Sequence, residues 1–274
     1  MFNQVIVGVD GGSTGRDAVA VARLLVAADG HLALAHVHEL TPVRGASNVY
    51  GPAQTEESTT LLEAERDAIG VDAELIPVTA SSVGRGLHYL AQARKADLLS
   101  VGSTTRSLAG RVLVGDITRA SLIGAPCAVA IAPLGYASDA GAITRIGVGY
   151  DGSHESDAAL AVARELATHH GAALTAMTVV EPATIVRGVT RSRADEEELD
   201  EAKRDLAALD GVQGEVASGH AGEELALFSA RVEFLVVGSR GYGPIRSLML
   251  GSTAVHLAGS AHCPLLVLPR ADDE

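Results

Sequence analysis

The stretch Val236-Val-Gly-Ser-Arg-Gly-Tyr-Gly-Pro-Ile-Arg-Ser-Leu-Met-Leu-Gly-Ser-Thr253 sets the reading of the whole chain. An apolar run over 234–237 leads into Gly238, two residues precede Gly241, nine more precede Gly251, and Ser252 and Thr253 follow at once. Residues 254–258 then carry a helical pattern. The order is strand, glycine-punctuated loop and hydroxyl-bearing helix start, and each part suits a bound polyphosphate. Glycines let backbone N–H groups approach phosphate oxygens with no side chain between. A helix N-terminus supplies unpaired N–H groups and a partial positive charge. Ser252 and Thr253 add hydroxyl donors. The same residues also suit plain structural work, with glycines shaping turns and Ser252 capping the helix.

Outward from this stretch, the 274-residue length suggests two domains of ordinary size. Hydrophobic residues make up 47% but aromatics only 3%, so the core must be built from Val, Leu, Ile and Ala, as in parallel strands buried on both faces. The net charge of -13 argues against nonspecific binding to nucleic acid or to an anionic membrane. Phosphate binding by such an acidic chain would therefore rest on local backbone donors. The start runs straight into a strand pattern, and the most apolar helical stretch, 18–28, is short and broken by Arg23, so a cytoplasmic protein with no membrane span is expected. Cys127 and Cys263 occupy equivalent places in the two halves and read as small buried residues at strand starts.

One unit occurs twice. In the first half, strands are expected over 5–9, 32–38, 73–78, 98–101 and 128–132, with Pro77 demoting the end of the third. Helical periodicity runs from Arg16 to Ala28 and stops at Asp29-Gly30, and further helices are expected over 56–69, 86–96 and 116–123. The segment 41–55, with Pro42, Gly45, Gly51 and Pro52, reads as a loop. In the second half, Ile146-Gly-Val-Gly-Tyr-Asp151-Gly-Ser matches the first strand and its acidic end at Asp10. Helices over 155–168, 195–209 and 222–231, and strands over 174–180, 234–238 and 265–268, follow in the same order. The boundary falls in the small and polar stretch 135–141, giving domains 1–136 and 141–274. Strands alternating with helices at this spacing argue for a parallel α/β sheet in each half, with helices on both faces. Ligands in such sheets sit beyond the carboxyl ends of the strands, where Asp10, Asp151, Gly102 and Gly238 fall.

The spacing G-x2-G-x9-G-[S/T] at Gly238, Gly241 and Gly251 resembles the nucleotide signature of the universal stress protein family, and both halves resemble its domains. The resemblance implies two tandem Rossmann-like (flavodoxin-like) domains, each a five-stranded parallel sheet with helices on both faces. It implies binding of ATP, which Mg2+ can accompany, a role as a sensor or regulator in stress, and a homodimer or an intramolecular pseudo-dimer. For the second half it implies a site of Asp151, Gly152 and Ser153 on the nucleoside side, Val179 against adenine, and Val237, Gly238, Ser239, Arg240, Gly241, Gly251, Ser252 and Thr253 around the phosphates. A carboxylate at Asp151 can accept from ribose hydroxyls, and it can equally be a helix N-cap. Arg240 and Arg246 flank the loop. No catalytic residue and no metal ligand is assigned, and turnover would be slow at most.

The first half departs from the pattern. Asp10, Val37, Gly102 and Gly115 are in place, but Thr105 stands at the middle glycine and Asp116 follows Gly115. A carboxylate at that helix start meets phosphate charge to charge, and it can itself serve as the anion there. A weak or silent first site is expected. Other readings fit the residues less well. The run 7–14 resembles a sugar-kinase phosphate loop, but helical periodicity follows it in place of a second strand. No full G-x-G-x-x-G follows the first strand. The scattered histidines, including His36, His38, His169 and His170, have no Cys or carboxylate at ligand spacing. The alternative in another class is a regulatory interaction module whose nucleotide site is vestigial or only stabilises the fold.

Overall fold

The structure, a computed structural model, describes residues 1–40, 52–103, 116–181, 193–239 and 251–269. The chain divides into two compact units that meet in sequence between Ala140 and Gly141. The first contains β1 (Phe2–Gly8), α1 (Ser13–Leu25), β2 (Val26–Glu39), α2 (Pro52–Ile69), β3 (Glu74–Ala80), α3 (Val83–Arg94), β4 (Leu98–Gly102), α4 (Asp116–Leu122), β5 (Ala128–Ala132) and α5 (Tyr136–Asp139). The second contains β6 (Arg145–Gly149), α6 (His154–His170), β7 (Ala173–Val180), α7 (Arg193–Ala207), β8 (Gln213–Ser218), α8 (Ala221–Ser229), β9 (Phe234–Gly238), α9 (Ser252–Ser260) and β10 (Leu265–Leu268).

Within the first unit the strand order is β3-β2-β1-β4-β5, and within the second it is β8-β7-β6-β9-β10. Among the described residues the strand pairings inside each unit are parallel. This is the Rossmann half-order, 3-2-1-4-5, with its switch point between the first and fourth strands. Consecutive residues of a strand point to opposite faces, yet Val5, Ile6 and Val7 are all buried, as are residues 98–101 and 234–237. Both faces of each sheet are therefore covered, as a Val- and Leu-rich, aromatic-poor sequence requires.

Three elements differ from the sequence reading. α1 ends at Leu25, and β2 begins at Val26, running through Asp29 and Gly30. The β1–β2 register shifts there, from Phe2↔Val26 to Gln4↔His31. A side chain at Gly30 would meet Val26 Cγ2 at 2.8 Å and the Phe2 carbonyl at 2.9 Å, so this glycine allows an irregularity inside the strand and does not stop a helix. β8 has no counterpart among the expected strands, because Gln-Gly-Glu-Val-Ala-Ser at the edge of its unit is half-exposed and lacks the apolar run. The boundary stretch holds the short helix α5.

α5 is tied to its own unit by Asp17 on α1. The Asp17 side chain is buried, and its two oxygens accept from Gly135 N and Ala137 N, each at 2.8 Å. A buried carboxylate thus satisfies N–H groups at the start of a helix and stays hydrogen-bonded itself. Arg16, one position earlier, grips Glu65 of α2 with two bonds, Nε to Oε2 at 3.1 Å and Nη2 to Oε1 at 3.0 Å. Pro77 lies in β3 opposite His36, at the sheet edge of its unit, where a missing N–H costs nothing.

Candidate functional site

In the second unit a cleft opens beyond the carboxyl ends of β6 and β9, the switch point of the strand order. It takes in about 600 Å³ of space, much of it open to solvent. Val179, Val237, Met177 and Leu225 form its apolar wall, and Asp151, Ser153, Glu155, Gly238, Ser239, Gly251 and Thr253 its polar rim.

The loop from β6 to α6 is built around Asp151. Gly152 takes the left-handed conformation, φ 73, that turns the chain back. Asp151 Oδ1 then accepts from Ser153 N at 3.1 Å and Ser153 Oγ at 2.5 Å. Ser153, not Asp151, is the N-cap of α6, its Oγ accepting from Ser156 N at 3.2 Å. The loop is anchored from β7, where Thr178 Oγ1 donates to the Tyr150 carbonyl at 2.8 Å. Tyr150 donates its hydroxyl to Asp157 at 3.0 Å, and burial together with that carboxylate pushes the phenol up from its usual pKa.

Gly238 is dictated by packing. A side chain there would lie 2.6 Å from the Glu155 carbonyl oxygen and 2.8 Å from its carbon, so the start of α6 rests directly on the end of β9. The N–H of Ser239 donates to Leu268 O at 3.0 Å, and its side chain is buried, so that N–H is used within the sheet.

Three helices begin at this cleft, and they differ in how their first N–H groups are met. α6 has the Ser153 cap. At α8, Glu181 accepts from Ala221 N at 2.9 Å. At α9 the N-cap is Gly251, which has no side chain to offer, and no capping bond forms among the described residues. Ser252 is accordingly the first helical residue and not the cap. Gly251, Thr253 and Ala254 of this start line the cleft, and its first N–H groups have no acceptor within the helix.

A related cleft of about 520 Å³ lies in the first unit at the ends of β1 and β4, lined by Asp10, Thr14, His36, Val37, Leu87, Val101 and Gly102 among others. Here Asp10 uses both oxygens, accepting from Gly12 N at 2.9 Å and from Thr14 Oγ1 at 2.8 Å. Gly102 is again required by packing, since a side chain would collide with the Thr14 carbonyl. Thr118 of α4 donates to the Gly102 carbonyl at 3.0 Å. Size does not separate the two clefts; the polar groups do.

Of the residues expected at the second site, Asp151, Ser153, Val179, Val237, Gly238, Ser239, Gly251 and Thr253 come together around the cleft. Gly152 and Ser252 lie beside it and do not line it. Arg240, Gly241 and Arg246, and in the first half Thr105 and Gly115, fall outside the described residues. Glu155, Met177, Tyr150 and Leu225 were missed. Leu225 and its repeat counterpart Leu87 line the same wall of the two clefts.

Cys127 and Cys263 are free and buried, and burial pushes each thiol up to about 12. Among the described residues no group of three or more His, Cys, Asp and Glu is placed to hold a metal ion, and no helix is long and apolar enough to cross a membrane.

The model of the universal stress protein family matches residues 1–133 and again residues 142–269. A universal stress protein of Mycobacterium tuberculosis is 27% identical over 288 aligned positions, covering 96% of this chain and 96% of that one. One from Thermus aquaticus is 32% identical and aligns 43% of this chain with 93% of its own length, as a single-unit relative would. The solved structure of a universal stress protein from Archaeoglobus fulgidus superposes with a TM-score of 0.70 at 19% identity, over 99% of this chain and 98% of that one. Strand order, the repeated cleft at each switch point and the twofold match agree: the chain belongs to the universal stress protein family, with two of its domains in tandem.

Proposed function

We propose that the second domain binds ATP in the cleft between β6 and β9, and that the protein acts through this nucleotide as a regulator in the stress response. The observation that carries the reading is the start of α9. It is the one helix N-terminus on the cleft with no capping bond among the described residues, and the N–H groups of its first turn, from Ser252 to Ala254, have no acceptor within the helix. Such a start favours an anion through both its donors and its dipole. In this reading the phosphates meet α9, the Asp151 carboxylate accepts from ribose hydroxyls, and Val179 packs on the adenine face. Any Mg2+ would be held mainly by phosphate oxygens and water. In the first domain Asp10, Val37 and Gly102 line a cleft that reads as a degenerate version, and its sequence has Gly115-Asp116 where the second domain has Gly251-Ser252.

Nucleotide content tests this. Purified protein is denatured and the released nucleotide is identified and counted, for the parent and for Gly251→Glu. About one ATP per chain is expected from the parent and none from the variant, whose carboxylate occupies the anion position. A parent that releases no nucleotide and takes none up when ATP is added back would leave the interaction-module reading in its place.

A further inference from the structure

Among the described residues four large apolar side chains are exposed, and three of them sit on two helix pairs that the repeat makes equivalent. Tyr89, 72% exposed, is on α3, Ile123, 50%, directly follows α4, and Leu227, 65%, is on α8.

The two pairs are built alike. A side chain at Gly84 of α3 would meet Ala120 Cβ of α4 at 2.8 Å, and one at Gly222 of α8 would meet His256 Cγ of α9 at 2.9 Å, so in each unit a glycine lets the two helices touch. The helix starts set the register of α3 against α8, since Glu39 accepts from Val83 N at 3.0 Å and Glu181 from Ala221 N at 2.9 Å. Counted from there, Tyr89 stands at the position of Leu227 and Arg85 at that of Glu223.

The two faces differ in charge. On α3 Arg85 precedes Tyr89 by one helical turn, and on α4 Arg119 precedes Ile123 by one turn, so each stripe carries a guanidinium and a large apolar side chain. On α8 Glu223 precedes Leu227 by the same turn, with Glu224 beside it. Arg85, Arg119 and Glu223 are exposed, and among the described residues their side chains make no ion pair. A partner for the first face must therefore be acidic around an apolar centre, and the α8 face of this chain, whose net charge is -13, has that composition. Like faces do not suit each other, because the first would set arginines against arginines and the second glutamates against glutamates. Opposed, they cover Tyr89 and Ile123 with Leu227 and align unlike charges around them.

From this complementarity we infer that copies of this chain associate head to tail, the α3–α4 face of one against the α8–α9 face of another. The contact joins unlike surfaces, so each copy engages two neighbours and the assembly is a ring or an open chain.

Sedimentation velocity of the full chain over a range of concentration, at low and high salt, tests it. The parent is expected to form species heavier than one chain of 28.0 kDa, and salt to weaken them. Arg85→Glu alone and Glu223→Arg alone should each weaken self-association about tenfold or more, because each sets like charges together in every contact. An equal mixture of the two variants should recover it, since every contact between unlike variants again pairs opposite charges. Should either variant melt well below the parent, Tyr89→Ser and Leu227→Ser remove the apolar half of the same contact from exposed positions and should weaken it alike. A parent that remains one chain at every concentration overturns the inference and leaves the two faces to some other partner. Self-association indifferent to all four substitutions overturns it too, as does a mixture of well-folded charge variants that fails to recover.

Discussion

Gly238→Ala separates what the fold needs from what a ligand needs. The added Cβ would lie 2.6 Å from the Glu155 carbonyl oxygen, 2.8 Å from its carbon and 3.0 Å from its Cβ, whereas ordinary contact begins at 3.4 Å. Two of these three atoms are backbone, in the first turn of a helix packed along β6, β7 and β9. Relief therefore requires α6 to lift by roughly 0.8 Å or the end of β9 to bend, since no side chain can simply rotate away. Overpacking of this kind costs about 1–3 kcal/mol, and the rigid partner places it in the upper half. For a domain of this size that corresponds to a fall of about 5–10 °C in Tm. The assay is thermal unfolding of nucleotide-free protein by circular dichroism, with Gly141→Ala as a control, because nothing lies within 4 Å of a side chain there. If nucleotide-free Gly238→Ala melts with the parent, α6 does not rest on Gly238, and the glycine serves ligand approach alone.

Other outcomes follow from single interactions. Asp17→Ala removes the acceptor for Gly135 N and Ala137 N and should cost about 2 kcal/mol in urea unfolding, with faster amide exchange at both positions. Glu233 accepts from the Arg145 guanidinium, from Arg145 N and from Thr144, which together hold its carboxyl below the usual range against a smaller effect of burial. A depressed folded pKa means this stability is complete above the unfolded value, about 4.3, and is lost as pH falls through the folded one. Glu233→Gln should therefore flatten the acid limb of stability against pH below about 5. Cys127 and Cys263 should resist a thiol reagent at pH 8 until denaturant exposes them, and then both should react; labelling of the native protein would contradict their burial.

Much of the fold was legible because parallel strands covered on both faces leave a strong mark. Runs such as Leu-Leu-Ser-Val-Gly and Phe-Leu-Val-Val-Gly can be little else, and their recurrence fixed the tandem organisation. The misses lie where that mark fades. β8 is an edge strand with polar residues, and β2 hides its beginning behind an Asp-Gly pair that also ends helices. Site residues read from the motif were found together when they sat at strand ends, as Asp151, Val179 and Gly238 do. Leu225 belongs to a helix that reaches the cleft from another part of the chain, and Glu155, though only four residues after Asp151, is brought onto the cleft by the way α6 packs on the end of β9.

The sequence by itself determined the repeated α/β unit, the placing of acidic and glycine residues at strand ends, and the difference between Gly251-Ser252 and Gly115-Asp116. Those are properties of periodicity and residue type, which act locally. Only the tertiary structure decided what each group is engaged with. It gave Gly238 to helix packing, Ser239 N–H to the sheet and Ser153 to the α6 cap, and it put His36 on the wall of the first cleft. A backbone donor is available to a ligand only if no neighbour has already taken it, and such neighbours can be brought in from distant parts of the chain by the fold, as Leu268 is to Ser239.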